Sequence, residues 1–520
     1  MKTFSVAVKA KRWIVMKRLY WILLAFIPAV VSFLLLLSLL QVDLNQFVPG
    51  HFDIFNDAIY HWRQIYTFSA VGFNGGYYTI NELPALASFS HFYHHGPGHA
   101  LLYGLPGRLT GWYLNTAIAF NTLVVSLSLI MALLILRSSR TQSLLYVLTA
   151  LLVWPLLIYM PSSMAESLHH AGAILLACLM WWLIAERGQH PRRLYRATLA
   201  LLVILTLTRP TWGVLFIPVL LLRQPAWTLP RVIVAGLIGT ACFVGLYAFH
   251  TLFIAPYPQL DKAILVNGDL IASVQARLEQ LADNLEIWNR GIDIEVAQRY
   301  QVVAVLVGVG LLWGWRRRQF SAEAIFHLSN LGLPLAINLF FNDMSFYRDF
   351  RALAPHLLLS LMVLLACRRW IIPAAFIAVQ AVMLPQFLTE YRATVAPQFA
   401  PGVVDQITAF RDQTREVLVY DPAAPSAWCN TLLFVMENRG DRVLVIPPEL
   451  ALIDPGIGLS YYIGYWGDTT PLTYPIRSRY LLLSEANRAK IGDQAQLTLR
   501  METGAGGIYL NEDTDCDDNL

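Results

Sequence analysis

The run LYWILLAFIPAVVSFLLLLSLL, Leu19 to Leu40, carries no charged residue. A helix of about 20 apolar residues matches the thickness of a bilayer's hydrocarbon core. In hydrocarbon each backbone N–H and C=O must find its partner within the segment, so such a run is read as a helix. Basic residues precede it, as in a secretory signal, but the apolar stretch from Leu19 to Val42 is longer than a signal core and shows no small-x-small cleavage site. It reads as a retained first membrane helix.

The rest of the chain repeats the pattern. Of 520 residues, 56% are hydrophobic and 14% charged, and the mean hydropathy is +0.51. A soluble chain carries nearer a quarter charged residues. The net charge of +4 is too small for a general nucleic-acid binder. Further candidate spans lie near 114–136, 143–161, 167–186, 195–208, 211–222, 231–254, 301–315, 322–341, 352–367 and 370–388. The fifth and sixth are short and meet at Thr208-Arg209-Pro210-Thr211, where proline and charge interrupt the run. They are either one broken helix or two.

Charge placement decides. With a cytoplasmic N-terminus and eleven spans, Lys17, Arg18, Arg137, Arg140, Arg192, Arg193, Arg316 to Arg318, Arg368 and Arg369 all fall on the cytoplasmic side. A single span over 195–222 would turn the last two clusters outward. The expected architecture is therefore an all-α polytopic membrane protein of about 11 transmembrane helices over residues 1–390, followed by a small α/β soluble domain over 391–520. In that domain Val417–Tyr420, Val443–Ile446, Tyr480–Leu483 and Gln496–Leu499 read as strands between Pro, Gly and Asp breaks. Three regions face outward: the loop 43–113, the segment 255–300 with an amphipathic helix at 270–288, and the C-terminal domain.

Cys178, Cys242 and Cys367 lie in apolar runs and read as core residues; Cys429 and Cys516 lie in the outer domain, where an oxidising compartment permits a disulfide. There is no Cys-x-x-Cys spacing.

The chemistry-bearing residues concentrate on the outer side. Asp53 and Asp57 are four apart in the first loop, so a helix there would put both carboxylates on one face. Close carboxylates raise each other's pKa or share a cation. The same spacing suits a solvated interfacial helix with aromatic anchors. Residues 91–99 hold four histidines, His91, His94, His95 and His99, among Gly and Pro. That pattern fits phosphate or metal binding and equally a surface turn. No spacing demands a metal; carboxylates and histidines together allow a divalent one. Glu166, with His169 and His170 behind it, opens the fourth span, either as a functional acid or as a first-turn acid favoured by the helix dipole, with Ser162 or Ser163 as cap. Tyr347, Arg348 and Arg351 occupy a late outer turn, and Arg209 a helix break. Arginine forks match phosphate oxygens; Arg348 and Arg351 equally suit pairing with Asp343 and Asp349, and Arg209 equally suits capping and pairing at the helix break.

This arrangement resembles the GT-C superfamily of polytopic glycosyltransferases, which use polyprenyl-phosphate-linked sugars. The resemblance rests on Phe52-Asp53-x-x-x-Asp57-Ala58-x-Tyr60, on His95-Gly96-Pro97-Gly98-His99 leading to Thr110-Gly111-Trp112, on Glu166, on Arg209-Pro210, and on Tyr347, Arg348 and Arg351 before Pro355. It covers roughly residues 19–388. It implies a catalytic base at Asp57 or Asp53, Glu166 in an auxiliary role, and donor-phosphate contacts from Arg348, Arg351, Tyr347, Arg209, His94 and His95. The two aspartates are separated by three residues instead of forming the usual adjacent acidic pair. Further implications are a glycan, lipid or protein acceptor, surrounding membrane lipid, and a bacterial inner membrane. Two other readings stay open. An O-antigen polymerase or ligase would rely on outer-loop arginines. A transporter would bury ionisable residues within its helices and show two related halves.

Overall fold

The computed structural model describes residues 19–39, 57–74, 92, 96–113, 116–136, 139–185, 192–223, 228–254, 270–289, 294–315, 322–341, 351–393, 401–413, 432–436, 438–439, 442–443, 459–463, 479–491, 495–504 and 506–513. These residues form a mostly helical protein with a small C-terminal sheet.

The helices are α1 (Leu19–Leu39), α2 (Asp57–Val71), α3 (Gly98–Thr110), α4 (Thr116–Ile135), α5 (Arg140–Leu152), α6 (Trp154–Tyr159), α7 (Glu166–Ala185), α8 (Arg192–Thr208), α9 (Phe216–Leu222), α10 (Leu229–Thr251), α11 (Leu270–Asn289), α12 (Ile294–Trp315), α13 (Ala322–His327), α14 (Leu333–Phe341), α15 (Ala354–Ala366), α16 (Ile371–Ala393) and α17 (Pro401–Gln413). Five of them are long and apolar enough to cross a membrane: α1, α4, α7, α10 and α16. Shorter apolar helices cover Pro210–Leu222, Arg299–Leu312 and Ala354–Ala366.

Local chemistry sets the boundaries. Ser139 and Gln142 form a capping box that starts α5. The expected single run at 143–161 is interrupted at Val153, where Pro155 opens the short helix α6. The expected run at 322–341 contains a π-helical turn, Leu328–Gly332, between α13 and α14. Arg209, the residue before Pro210, is extended (φ −152, ψ 113), as the proline ring demands, and a 3-10 segment Pro210–Leu215 follows. The chain folds back at this break: the Arg223 guanidinium at the end of α9 lies 5.1 Å from the ring centroid of Tyr195 at the start of α8. Residues 195–222 are therefore two antiparallel pieces.

Helix α15 is the axis of the bundle. Every residue from Ala354 to Leu365 is buried, and the main hydrophobic cluster surrounds it with α4, α5, α7, α9 and α12. A helix this apolar, with His356 and Ser360 as its polar residues, belongs in such a position. Helix α10 is the opposite case, with Val232, Ile233, Val234, Leu237, Ile238 and Val244 all exposed, as a lipid-facing surface requires. Helix α11 spans the amphipathic segment and anchors through Asn284, whose amide donates to the Leu339 carbonyl at 2.7 Å.

The sheet has strand order β4-β1-β5-β7-β6, formed by β1 (Leu432–Met436), β4 (Leu459–Ile463), β5 (Tyr480–Leu483), β6 (Leu497–Thr503) and β7 (Gly506–Asn511). Strand β1 pairs in parallel with β4 and β5, whereas β7 is antiparallel to β5 and β6. The two-residue strands β2 (Asn438–Arg439) and β3 (Arg442–Val443) form a separate ribbon. The expected strands at Tyr480–Leu483 and Gln496–Leu499 correspond to β5 and the start of β6, and Val443 ends β3. Val417–Tyr420, Cys429 and Cys516 lie outside the described residues.

Candidate functional site

Glu166 opens α7 and is 1% exposed. One of its carboxylate oxygens takes a hydrogen bond from the Arg209 guanidinium at 2.5 Å. A second nitrogen of the same guanidinium donates to the backbone carbonyl of Arg351 at 3.1 Å. Arg209 can reach both because the extended residue before Pro210 ends α8 at this level. A charged hydrogen-bonded pair shielded from water is far stronger than one on a surface.

The turn before α7 holds a second junction. Ser163 donates its hydroxyl to the Ala58 carbonyl in the first turn of α2. Ser162 donates to the Tyr159 carbonyl at 2.8 Å and accepts from the Met164 amide at 3.2 Å. Both hydroxyls are thus engaged outside the first turn of α7, so neither serves as the cap that the sequence suggests. Ser163 instead fixes the start of α2, whose first residue is Asp57, against the start of α7. The beginnings of α2 and α7, the Arg209 break and the turn leading to α15 therefore meet at one end of the bundle.

Helix α3 closes the same end. A Cβ on Gly98 would lie 2.7 Å from Thr208 Cγ2 and 2.8 Å from the Leu207 carbonyl, so glycine lets α3 abut the residues just before Arg209. Gly96 has φ +68 and packs on the His250 ring, which makes glycine necessary there as well. The first turn of α3 presents His99, 2% exposed, in edge contact with His61 (centroids 5.0 Å) and Tyr103 (4.6 Å). Tyr103 donates to Asn121 Oδ1 at 2.7 Å, and the Asn121 amide donates to the carbonyls of Met160 and Ser162. Burial holds the His99 imidazole well below its ordinary value, with His61 and Arg209 adding to the shift and Glu166 opposing it. It is neutral at pH 7.

A buried polar seam leads from this end into the bundle. Trp212 donates its indole N–H to His169 Nδ1 at 3.1 Å and lies 4.5 Å, centroid to centroid, from the His356 ring. His356 Nδ1 donates to Asn330 Oδ1 at 2.8 Å, and Asn330 donates to Ser360 Oγ at 2.8 Å and to the His356 carbonyl at 2.7 Å. Ser360 in turn shares a hydrogen bond with His327 Nδ1 at 3.1 Å. Asn330 sits in the π turn, and such turns often mark functional positions.

The residues singled out from sequence divide into groups. Glu166 and Arg209 are in direct contact. Arg351 joins them through its backbone. Asp57 is the first described residue of α2. Asp53, His94, His95, Tyr347 and Arg348 lie outside the described residues. Among the described residues no group of three or more His, Cys, Asp or Glu side chains is arranged to hold a metal ion. The sequence reading left His61, Ser163, Asn121, Asn330 and His356 out of the site. Isolated polar residues in apolar runs were the signal for the last three. Nothing in local spacing marks a serine that reaches a carbonyl 105 positions away. No family model matches the chain, and neither does any curated protein or solved structure.

Proposed function

We propose that this chain is a membrane glycosyltransferase. It moves a sugar from a polyprenyl-phosphate-linked donor to an extracytoplasmic glycan, lipid or protein acceptor, by inverting displacement. The observation that supports this reading is the meeting, at one end of an apolar bundle, of the Asp57 helix start, the Arg209–Glu166 pair and the Arg351 backbone. In the proposed reaction Asp57, with Asp53 as the alternative, accepts the proton of the acceptor hydroxyl. The freed oxygen bonds to the anomeric carbon as the carbon–oxygen bond to the lipid phosphate breaks. Tyr347, Arg348 and Arg351, with His94 and His95, stabilise the departing phosphate, and preorganised charge of that kind is worth most in a dry site. Glu166 orients the acceptor, and Arg209 holds Glu166. The proposal carries with it eleven spans, a cytoplasmic N-terminus, an extracytoplasmic C-terminal domain and a bacterial inner membrane as location. No metal is required by it, and a divalent ion is compatible with it.

The test is transfer from a radiolabelled polyprenyl-phosphate sugar in proteoliposomes. Asp57→Asn should abolish transfer with expression intact; near-normal turnover in that variant removes the assignment of the base. A transporter is the second reading, favoured by the buried seam His356–Asn330–Ser360–His327, because ionisable groups inside membrane helices commonly line a pathway. Label crossing the bilayer without becoming covalently linked to acceptor would select it.

A further inference from the structure

Around the Arg209–Glu166 pair, several buried polar atoms have no hydrogen-bond partner among the described residues: both ring nitrogens of His99, Glu166 Oε2, Ser167 Oγ and His170 Nε2. All four side chains are at most 2% exposed. Glu166, Ser167 and His170 occupy positions i, i+1 and i+4 of α7 and so share a helix face. His99 is close enough to feel the charges of both Glu166 and Arg209. A buried polar atom left unpaired costs about 1–3 kcal/mol. Several around one ion pair form a polar set whose missing hydrogen bonds a ligand would supply.

The chemistry of these atoms selects the ligand. His170 Nδ1 lies 2.7 Å from the Glu166 backbone carbonyl. A carbonyl only accepts, so Nδ1 carries the proton and Nε2 is left as an acceptor. Glu166 Oε2, in a carboxylate paired with arginine, is also an acceptor. Neutral His99 supplies one donor and one acceptor, and Ser167 either. The Arg209 guanidinium is already directed to Glu166 and to the Arg351 carbonyl. A phosphate, which brings acceptors and negative charge, would face the Glu166 oxygen and the His170 lone pair unfavourably. A group with several hydroxyl donors would satisfy them.

We propose that His99, Glu166 Oε2, Ser167 and His170 form a subsite for a neutral hydroxyl-rich group, namely a glycosyl ring, and that phosphate is excluded from it. Only the equation of this ring with the transferred or accepting sugar rests on the glycosyltransferase reading; the preference for hydroxyl donors follows from the acceptor set.

The experiment measures the thermal midpoint of the full chain in lipid nanodiscs, titrated with methyl glycosides of hexoses and pentoses and, separately, with inorganic phosphate. At least one glycoside should raise the midpoint saturably at concentrations up to about 0.1 M. His99→Leu and Ser167→Ala should each weaken that apparent affinity about tenfold or more, and any phosphate response should be indifferent to both. Without ligand, Ser167→Ala should leave the midpoint unchanged or higher, because it deletes an unpaired polar atom; a purely structural serine would lower it. Should His99→Leu not fold, His99→Asn gives the same comparison. A glycoside response unchanged in these variants, no response to any glycoside, or a phosphate response lost in them overturns the subsite. Glycoside binding without sugar transfer would instead remove the glycosyltransferase reading and leave the subsite standing.

Discussion

The two ends of the bundle each hold an arginine–glutamate pair, and the pairs are unlike. Arg209 and Glu166 are 2.5 Å apart, with side chains 14% and 2% exposed. Arg369 and Glu323 are 3.7 Å apart, with side chains 35% and 9% exposed. The first arginine also holds a backbone carbonyl 142 residues away. The second belongs to the Arg368–Arg369 cluster, whose abundance of positive charge fits a topological signal. Equal chemistry thus takes two forms: one pair is short and shielded, the other long and partly exposed.

Arg209→Met should show the largest effect. It leaves the Glu166 carboxylate buried without its partner, and breaking a buried pair in this way costs about 3–5 kcal/mol. Unfolding in mixed SDS and neutral detergent micelles would measure it. A loss below about 1 kcal/mol would put this pair in the class of surface ion pairs and erase the contrast. Asn330→Leu lies between the ends and should cost about 1–3 kcal/mol in the same assay, since it strands the donors and acceptors of His356 and Ser360.

A pH profile sharpens the description of the site end. The folded-state pKa of His99 is depressed below its ordinary value of 6.5. Above that value the folded and unfolded forms are both neutral at this position and nothing is gained or lost. As pH falls below it, the unfolded chain takes up a proton that the folded one refuses, so stability drops until the folded-state pKa is reached. The midpoint should therefore fall more steeply below pH 6.5 in the native chain than in His99→Asn. Parallel profiles would show that His99 takes no part. Glu323→Gln should be the smallest effect, about 0–1 kcal/mol and diminished further by salt, because its partner is about one-third exposed and the separation is long.

The membrane helices and the break at Arg209-Pro210 are written locally, in apolar runs and in a proline that forces extended backbone on its predecessor. They were legible for that reason. The basic-residue count also favoured two pieces at 195–222, and the Arg223–Tyr195 contact has the form that two antiparallel pieces give. Strands β1 and β4 were not legible. Leu432–Met436 is a continuous apolar run flanked by parallel partners on both sides, and a strand so placed lacks the alternation that identifies one. The site was half legible. Glu166 and Arg209 stood out as charges in apolar surroundings, but local spacing did not show that they pair with each other across 43 residues. His61 and the Ser163–Ala58 contact acquire meaning only through tertiary structure, which spacing does not encode.

The Arg209 clamp also bears on how the protein is made. Residues 1–223 contain Glu166, Ser163, Ala58 and Arg209, but the carbonyl that takes the guanidinium's second hydrogen bond belongs to Arg351. A chain ending before Arg351 therefore lacks the acceptor of one Arg209 hydrogen bond. Two fragments divided in the connector between α9 and α10 would each lack part of the clamp, and its closure would report that the halves have found each other.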